Sequence, residues 1–237
     1  MIYYRQGDMN SFNDKKFTKV QKFLALFLLG KKDLIEKYLP DKAYLRFIDM
    51  LNGKEISKKI LNEMVIEMAK EGNLKGVKYL IEKDVNIHGD YDEAFQLASR
   101  EGHLEVVKYL IEKGANVHAN VDYALRWASN YGHLEVVKYL IEKGANIHAD
   151  NNFALKHASQ NGHLDVVKFL HSKGGNIRAN DDWALKAASA YGHLEVVKYL
   201  IEKGADVHAE NDWALRWASE KGHLDVVDYL KTLKYSL

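Results

Sequence analysis

The chain has 237 residues, enough for one large domain or two ordinary ones with a sizeable core. Lys plus Arg number 34 against 33 Asp plus Glu, and a net charge of +1 argues against a general nucleic-acid binder, which would carry a basic excess or stripe. The absence of cysteine excludes disulfides, thiolate nucleophiles and Cys-ligated zinc, while 16 glycines and a single proline, Pro40, suggest helices punctuated by glycine turns.

Near the N-terminus the apolar run Phe23–Leu29 has seven residues, far short of the roughly 20 that span a bilayer. Lys31, Lys32 and Asp33 follow where a signal peptide would place small residues, so the run reads as a buried helix. A soluble, cytoplasmic protein without a membrane partner is expected. Leu28–Leu39 and Ala43–Leu51 carry amphipathic patterns, and residues 1–60 read as an irregular helical cap on the remainder of the chain.

From residue 61 to 237 the sequence repeats. Gly-His-Leu-(Glu/Asp)-Val-Val begins at Gly102, Gly132, Gly162, Gly192 and Gly222, a period of 30, and a looser copy opens at Gly72. About six units result, each reading as two short helices and a turn. In the unit around Asp122, that carboxylate is the expected N-cap, as are Asn62, Asp92, Asn152, Asp182 and Asp212 in the other units. The first helix then runs through Ala124, Leu125, Ala128 and Ser129, small enough for neighbouring helices to approach closely. Gly132 breaks it. The second helix sets Leu134, Val137, Leu140 and Ile141 on one face, with Val136 and Tyr139 widening it, opposite Glu135, Lys138 and Glu142. Gly144 closes that helix. An apolar arc this wide needs neighbours on both flanks, so an all-α solenoid is expected.

These residues resemble the ankyrin-repeat family. Gly102–Ala119, GHLEVVKYLIEKGANVHA, follows the family's second helix and turn position by position, and the likeness covers about residues 62–237. The wording of the repeats, ALRWAS followed by GHLEVVKYLIEKGANIHAD, looks most like the ankyrin proteins of giant, amoeba-infecting DNA viruses. The family unit is about 33 residues and opens its first helix with Thr-Pro-Leu-His. Here the unit has 30 residues, and YALR (Tyr123–Arg126), FALK (Phe153–Lys156) and WALK (Trp183–Lys186) stand at that opening. The family's projecting β-hairpins should therefore be reduced to tight loops.

Histidine, with 11 copies, invites metal or acid–base chemistry. His103, His133, His163, His193 and His223 follow the turn glycine, and His88, His118, His148 and His208 lie in the next turn, where Arg178 takes the fifth place. Stacking spaces such ladders by about 10 Å, too wide for one metal, so hydrogen bonds bracing the loops are the expectation. His157 and His171 stand off the pattern and read as local substitutions. No catalytic residues, cofactor or metal are expected.

The variable positions of the first helix are the candidate contact residues. One column reads Glu93, Tyr123, Phe153, Trp183, Trp213; a second reads Leu97, Trp127, His157, Ala187, Trp217; a third reads Glu101, Tyr131, Asn161, Tyr191, Lys221. The resemblance implies that this helix lines the concave surface and that the third column makes contacts, with Tyr131 and Tyr191 foremost. Rings in the first two columns read first as filling the space left by the shortened hairpin, and second as contacts. The expected function is a non-enzymatic, monomeric module that binds an intracellular protein, a host regulatory protein if the source is viral. Two alternatives stand beside it: an adaptor for ubiquitin ligation, from a faint F-box likeness in Leu39–Leu51, and a structural virion or scaffold component.

Overall fold

The computed structural model describes residues 58–82 and 87–234. The expected N-terminal cap, with Phe23–Leu29, Leu28–Leu39 and Ala43–Leu51, lies outside the described residues. Those described form twelve helices and no strand. They pair as α1 (Lys58–Lys70) with α2 (Leu74–Glu82), α3 (Ile87–Arg100) with α4 (Leu104–Glu112), and α5 (Ala119–Asn130) with α6 (Leu134–Glu142). The series continues with α7 (Ala149–Gln160) and α8 (Leu164–Ser172), α9 (Ala179–Ala190) and α10 (Leu194–Glu202), and α11 (Ala209–Lys221) and α12 (Leu224–Lys234). No described helix is long and apolar enough to cross a membrane.

The first helices of successive units pack on one another far more intimately than the second helices do. Side-chain size accounts for this. Ala124, Ala128, Ala154, Ala158, Ala184 and Ala188 are fully buried along that row, with Leu125, Leu155 and Leu185 filling the space between units. Each second helix buries a narrower set, Val136, Val137 and Leu140 in α6, and leaves Leu134, Tyr139 and Ile141 half-covered. On its wet face Lys138 Nζ lies 2.7 Å from Glu135 Oε1, an exposed pair worth a few tenths of a kcal/mol (~0.3).

Two hydrogen-bonded ladders fasten the units. In the first, the ring after four of the turn glycines reaches back 33 residues: His103 Nε2 donates to Lys70 O at 2.8 Å, His163 to Asn130 O at 2.9 Å, His193 to Gln160 O at 2.8 Å and His223 to Ala190 O at 2.9 Å. These carbonyls end the first helices, where intrahelical donors run out. These four histidines are thus the loop braces that their spacing suggests.

The second ladder corrects the expected capping. Asp122 does not start its helix with a side-chain cap. The backbone of Asn120, Val121 and Asp122 makes a left-handed turn, and the same turn recurs at 150–152, 180–182 and 210–212, with φ between 50° and 63°. It turns the Asp122 carboxylate toward the turn that leads into the following unit, where Oδ1 accepts the Asn146 N–H at 2.8 Å. Asp92 takes Asn116 N–H at 3.1 Å and Asp182 takes Asp206 N–H at 3.0 Å in the same way. His118 Nδ1 donates to the same Asp122 oxygen at 3.0 Å, and His208 pairs with Asp212 at 2.6 Å. The side chain of His88 lies outside the described set. Asn62, also expected as a cap, sits inside α1.

The connection between units is correspondingly short. Gly144 N–H donates to Ile141 O and Ala145 N–H to Leu140 O, and Gly144 takes φ 92°. Asn146 Oδ1 then accepts the His148 N–H at 2.9 Å, a side-chain turn in place of a hairpin.

Candidate functional site

Residues 123, 127 and 131 are four apart, so they share one face of α5, opposite the buried Ala124, Leu125 and Ala128. The same three positions recur in α7, α9 and α11. The face is continuous because the alanine row brings adjacent first helices together.

Rings in the first two columns pack on one another. Tyr123 and Trp127 have centroids 5.7 Å apart, Trp127 and Phe153 5.9 Å, and Phe153 and His157 3.8 Å in a stacked pair. His157 continues to Trp183 at 5.6 Å, and Trp213 stacks on Trp217 at 4.9 Å. All of these are half-buried. Tyr123, Trp127, Phe153, His157 and Trp183 therefore form one run across three units, and Trp213 with Trp217 forms a pair in the sixth.

The third column behaves differently. Glu101, Tyr131, Asn161, Tyr191 and Lys221 are all exposed. Tyr131 keeps 50% of its surface in water and Tyr191 57%, the largest exposure of any aromatic ring described. Tyr131 stacks on Trp127, with centroids 5.9 Å apart.

Cations interleave the rings. Arg126 Cζ lies 5.1 Å from the Phe153 centroid, Lys156 Nζ 5.4 Å from Trp183, Lys186 Nζ 5.6 Å from Trp213 and Lys221 Nζ 5.2 Å from Trp217. The first and third of these also cross to the next unit, Arg126 Nη1 to Asp150 at 2.7 Å and Lys186 Nζ to Glu210 at 2.9 Å. Arg126, Lys156 and Lys186 complete the face beside Lys221 of the third column, and these three were not among the sequence-derived candidates. The signal was present in the basic residue that ends YALR, FALK and WALK.

Burial pushes the His157 imidazole below its ordinary pKa, helped by the neighbouring Lys156 and opposed by Asp150. Neutral, and stacked flat on Phe153, it behaves as another aromatic ring. His171 is unrelated to this face. Its Nδ1 lies 2.8 Å from the Tyr199 hydroxyl on the second-helix side, a local bridge between units.

What this arrangement can do is offer a broad, ring-rich surface with basic accents. A search of curated proteins gives no match. The family model described as ankyrin repeats (3 copies) matches residues 44–121, 64–151, 117–181 and 155–236, a series that spans most of the chain and every described unit. With its paired helices, its short turns and this match, the chain belongs to the ankyrin-repeat family.

Proposed function

We propose that the repeats form a non-enzymatic docking module whose first-helix face binds an intracellular protein. Ankyrin repeats act as protein–protein interaction modules, which supports the class of function. One observation carries the choice of face: Tyr131 and Tyr191, the two most exposed rings among the described residues, both stand on it. Large amphipathic rings held in place lose little entropy on contact and dominate interface energetics. Residues 61–237 constitute the module in this reading, acting as a monomer without cofactor in the cytoplasm.

The test is recovery of a partner from native-source lysate on immobilised protein, identified by mass spectrometry. The double variant Tyr131→Ala/Tyr191→Ala should lose the partner by about tenfold or more. Equal recovery by both proteins removes this face from the proposal. A viral source, with a host regulatory protein as target, rests on the wording of the repeats. The ligase-adaptor alternative rests on Leu39–Leu51, outside the described residues, and the virion or scaffold alternative on the near identity of the units.

A further inference from the structure

The second column breaks once. Trp127, His157 and Trp217 hold its other places in the last four units, but the fifth unit has Ala187. At that break a cleft of about 620 Å³ opens between the fifth and sixth units. Ala187, 5% exposed, lines it together with Trp183, Tyr191, Trp213 and Trp217. Lys221, at the rim, is its one permanently charged lining residue. Three of the chain's four tryptophans meet there.

From this geometry we propose that the cleft seats one aromatic side chain of the partner polypeptide, flanked by carboxylates that pair with Lys221. The proposal deepens the docking reading and rests on it. Shape supports an aromatic occupant, since the break falls where three sister units carry a ring and aromatic side chains dominate the lining. Charge decides against the other common guest of an aromatic box, a methylated ammonium. Lys156, Lys186 and Lys221 already lie over Trp183, Trp213 and Trp217, so the ring surfaces a second cation would use are taken, and Lys221 at the cleft repels it. The Lys221 amine has only a distant counter-charge, Glu220 at 4.0 Å, and can turn to an incoming carboxylate.

Four tryptophans give four indole N–H signals in a nitrogen-15 correlation spectrum of the full chain, and Trp127 serves as an internal control outside the cleft. Three capped pentapeptides are titrated. One has phenylalanine at its centre between glutamates, one has alanine in its place, and one has trimethyllysine between lysines. The first should shift the signals of Trp183, Trp213 and Trp217 and leave Trp127 in place, binding about tenfold more tightly than the alanine peptide. Ala187→Trp, which puts a ring into the cleft from within, should abolish those shifts. Lys221→Glu, on an exposed side chain, should weaken binding about threefold or more without disturbing the fold. The proposal is overturned if no indole signal moves, if Trp127 moves with the others, or if Lys221→Glu has no effect. Equal binding of the alanine peptide, or tighter binding of the trimethyllysine peptide, overturns it too. The single variant Tyr131→Ala separates the two readings, because Tyr131 lies outside the cleft. Loss of partner recovery in that variant alongside an unresponsive cleft sinks this inference and leaves the docking reading standing.

Discussion

The imidazole of His163 occupies the space that a side chain on Gly132 would need: a Cβ there would come within 2.5 Å of Nδ1. The same contact recurs between Gly102 and His133 and between Gly192 and His223. Gly132 also has φ 78°, so two independent constraints meet at one glycine, whereas Gly144, at φ 92°, has nothing within 4 Å of its absent Cβ. Gly144→Ala should therefore cost only the left-handed penalty, about 1–2 kcal/mol. Gly132→Ala must also displace the His163 ring from Asn130 O, for a total of about 2–4 kcal/mol. Urea denaturation of both variants, of His163→Ala and of Gly132→Ala/His163→Ala measures this. The cycle should be strongly non-additive; equal losses at Gly132 and Gly144 contradict the packing role.

Val121 is a β-branched residue in a left-handed backbone, with φ 57° and 60% of its surface exposed. Its counterparts in the next three units are Asn151, Asp181 and Asn211, residue types that tolerate this conformation through local hydrogen bonding. Val121→Asn should raise stability by about 0.5–1 kcal/mol, read as an increased urea midpoint at unchanged slope. A lowered midpoint would show that the isopropyl group makes a contact that outweighs its strain.

Much of this architecture is legible in the sequence, because period, turn glycine and apolar spacing all follow from local chemistry. The His103, His163, His193 and His223 braces could be inferred from spacing alone, since equal register puts each ring beside the preceding unit's helix end. The role of Asp122 could not. An acidic residue ahead of an apolar helix looks the same whether it caps that helix or, through a left-handed turn, reaches Asn146 in the turn before the next unit. At the candidate face the variable columns stand out, and they separate Tyr131 and Tyr191 from the packed rings only once exposure is known. Ala187 reads as one small residue among many until its neighbours in space are known to be three tryptophans.

Lys186 is a buried cation, 6% exposed, between Trp213 and the half-exposed carboxylate of Glu210. Removing the counter-charge by Glu210→Gln leaves the ammonium in a poorly solvated site. Solvent reaches Glu210, so the loss should be modest, about 1–2 kcal/mol of unfolding free energy. Lys186→Met in the Glu210→Gln background replaces the stranded charge with an apolar chain of similar length and should recover most of it. Thermal melts of the three proteins test this, and a Glu210→Gln melt matching wild type would show that the pair contributes nothing.

Acid should weaken the solenoid through two of its histidines. Burial lowers the pKa of His193, its bond to Gln160 O works in the opposite direction, and the neighbouring rings of His163 and His223 add repulsion. Burial likewise lowers His157, with Lys156 and Arg126 reinforcing and Asp150 opposing. Each imidazole therefore binds its proton more weakly in the folded chain than in the unfolded one. Their contribution is complete above the unfolded value of about 6.5 and is lost as pH falls from there through the folded values. The urea midpoint should drop between about pH 7.5 and pH 5.5, a window chosen to lie above the ordinary carboxylate range. His157→Phe keeps a ring stacked on Phe153 and His193→Gln keeps a donor toward Gln160, so the double variant should show a shallower slope over that window. An identical slope in the variant would assign the acid sensitivity to other groups.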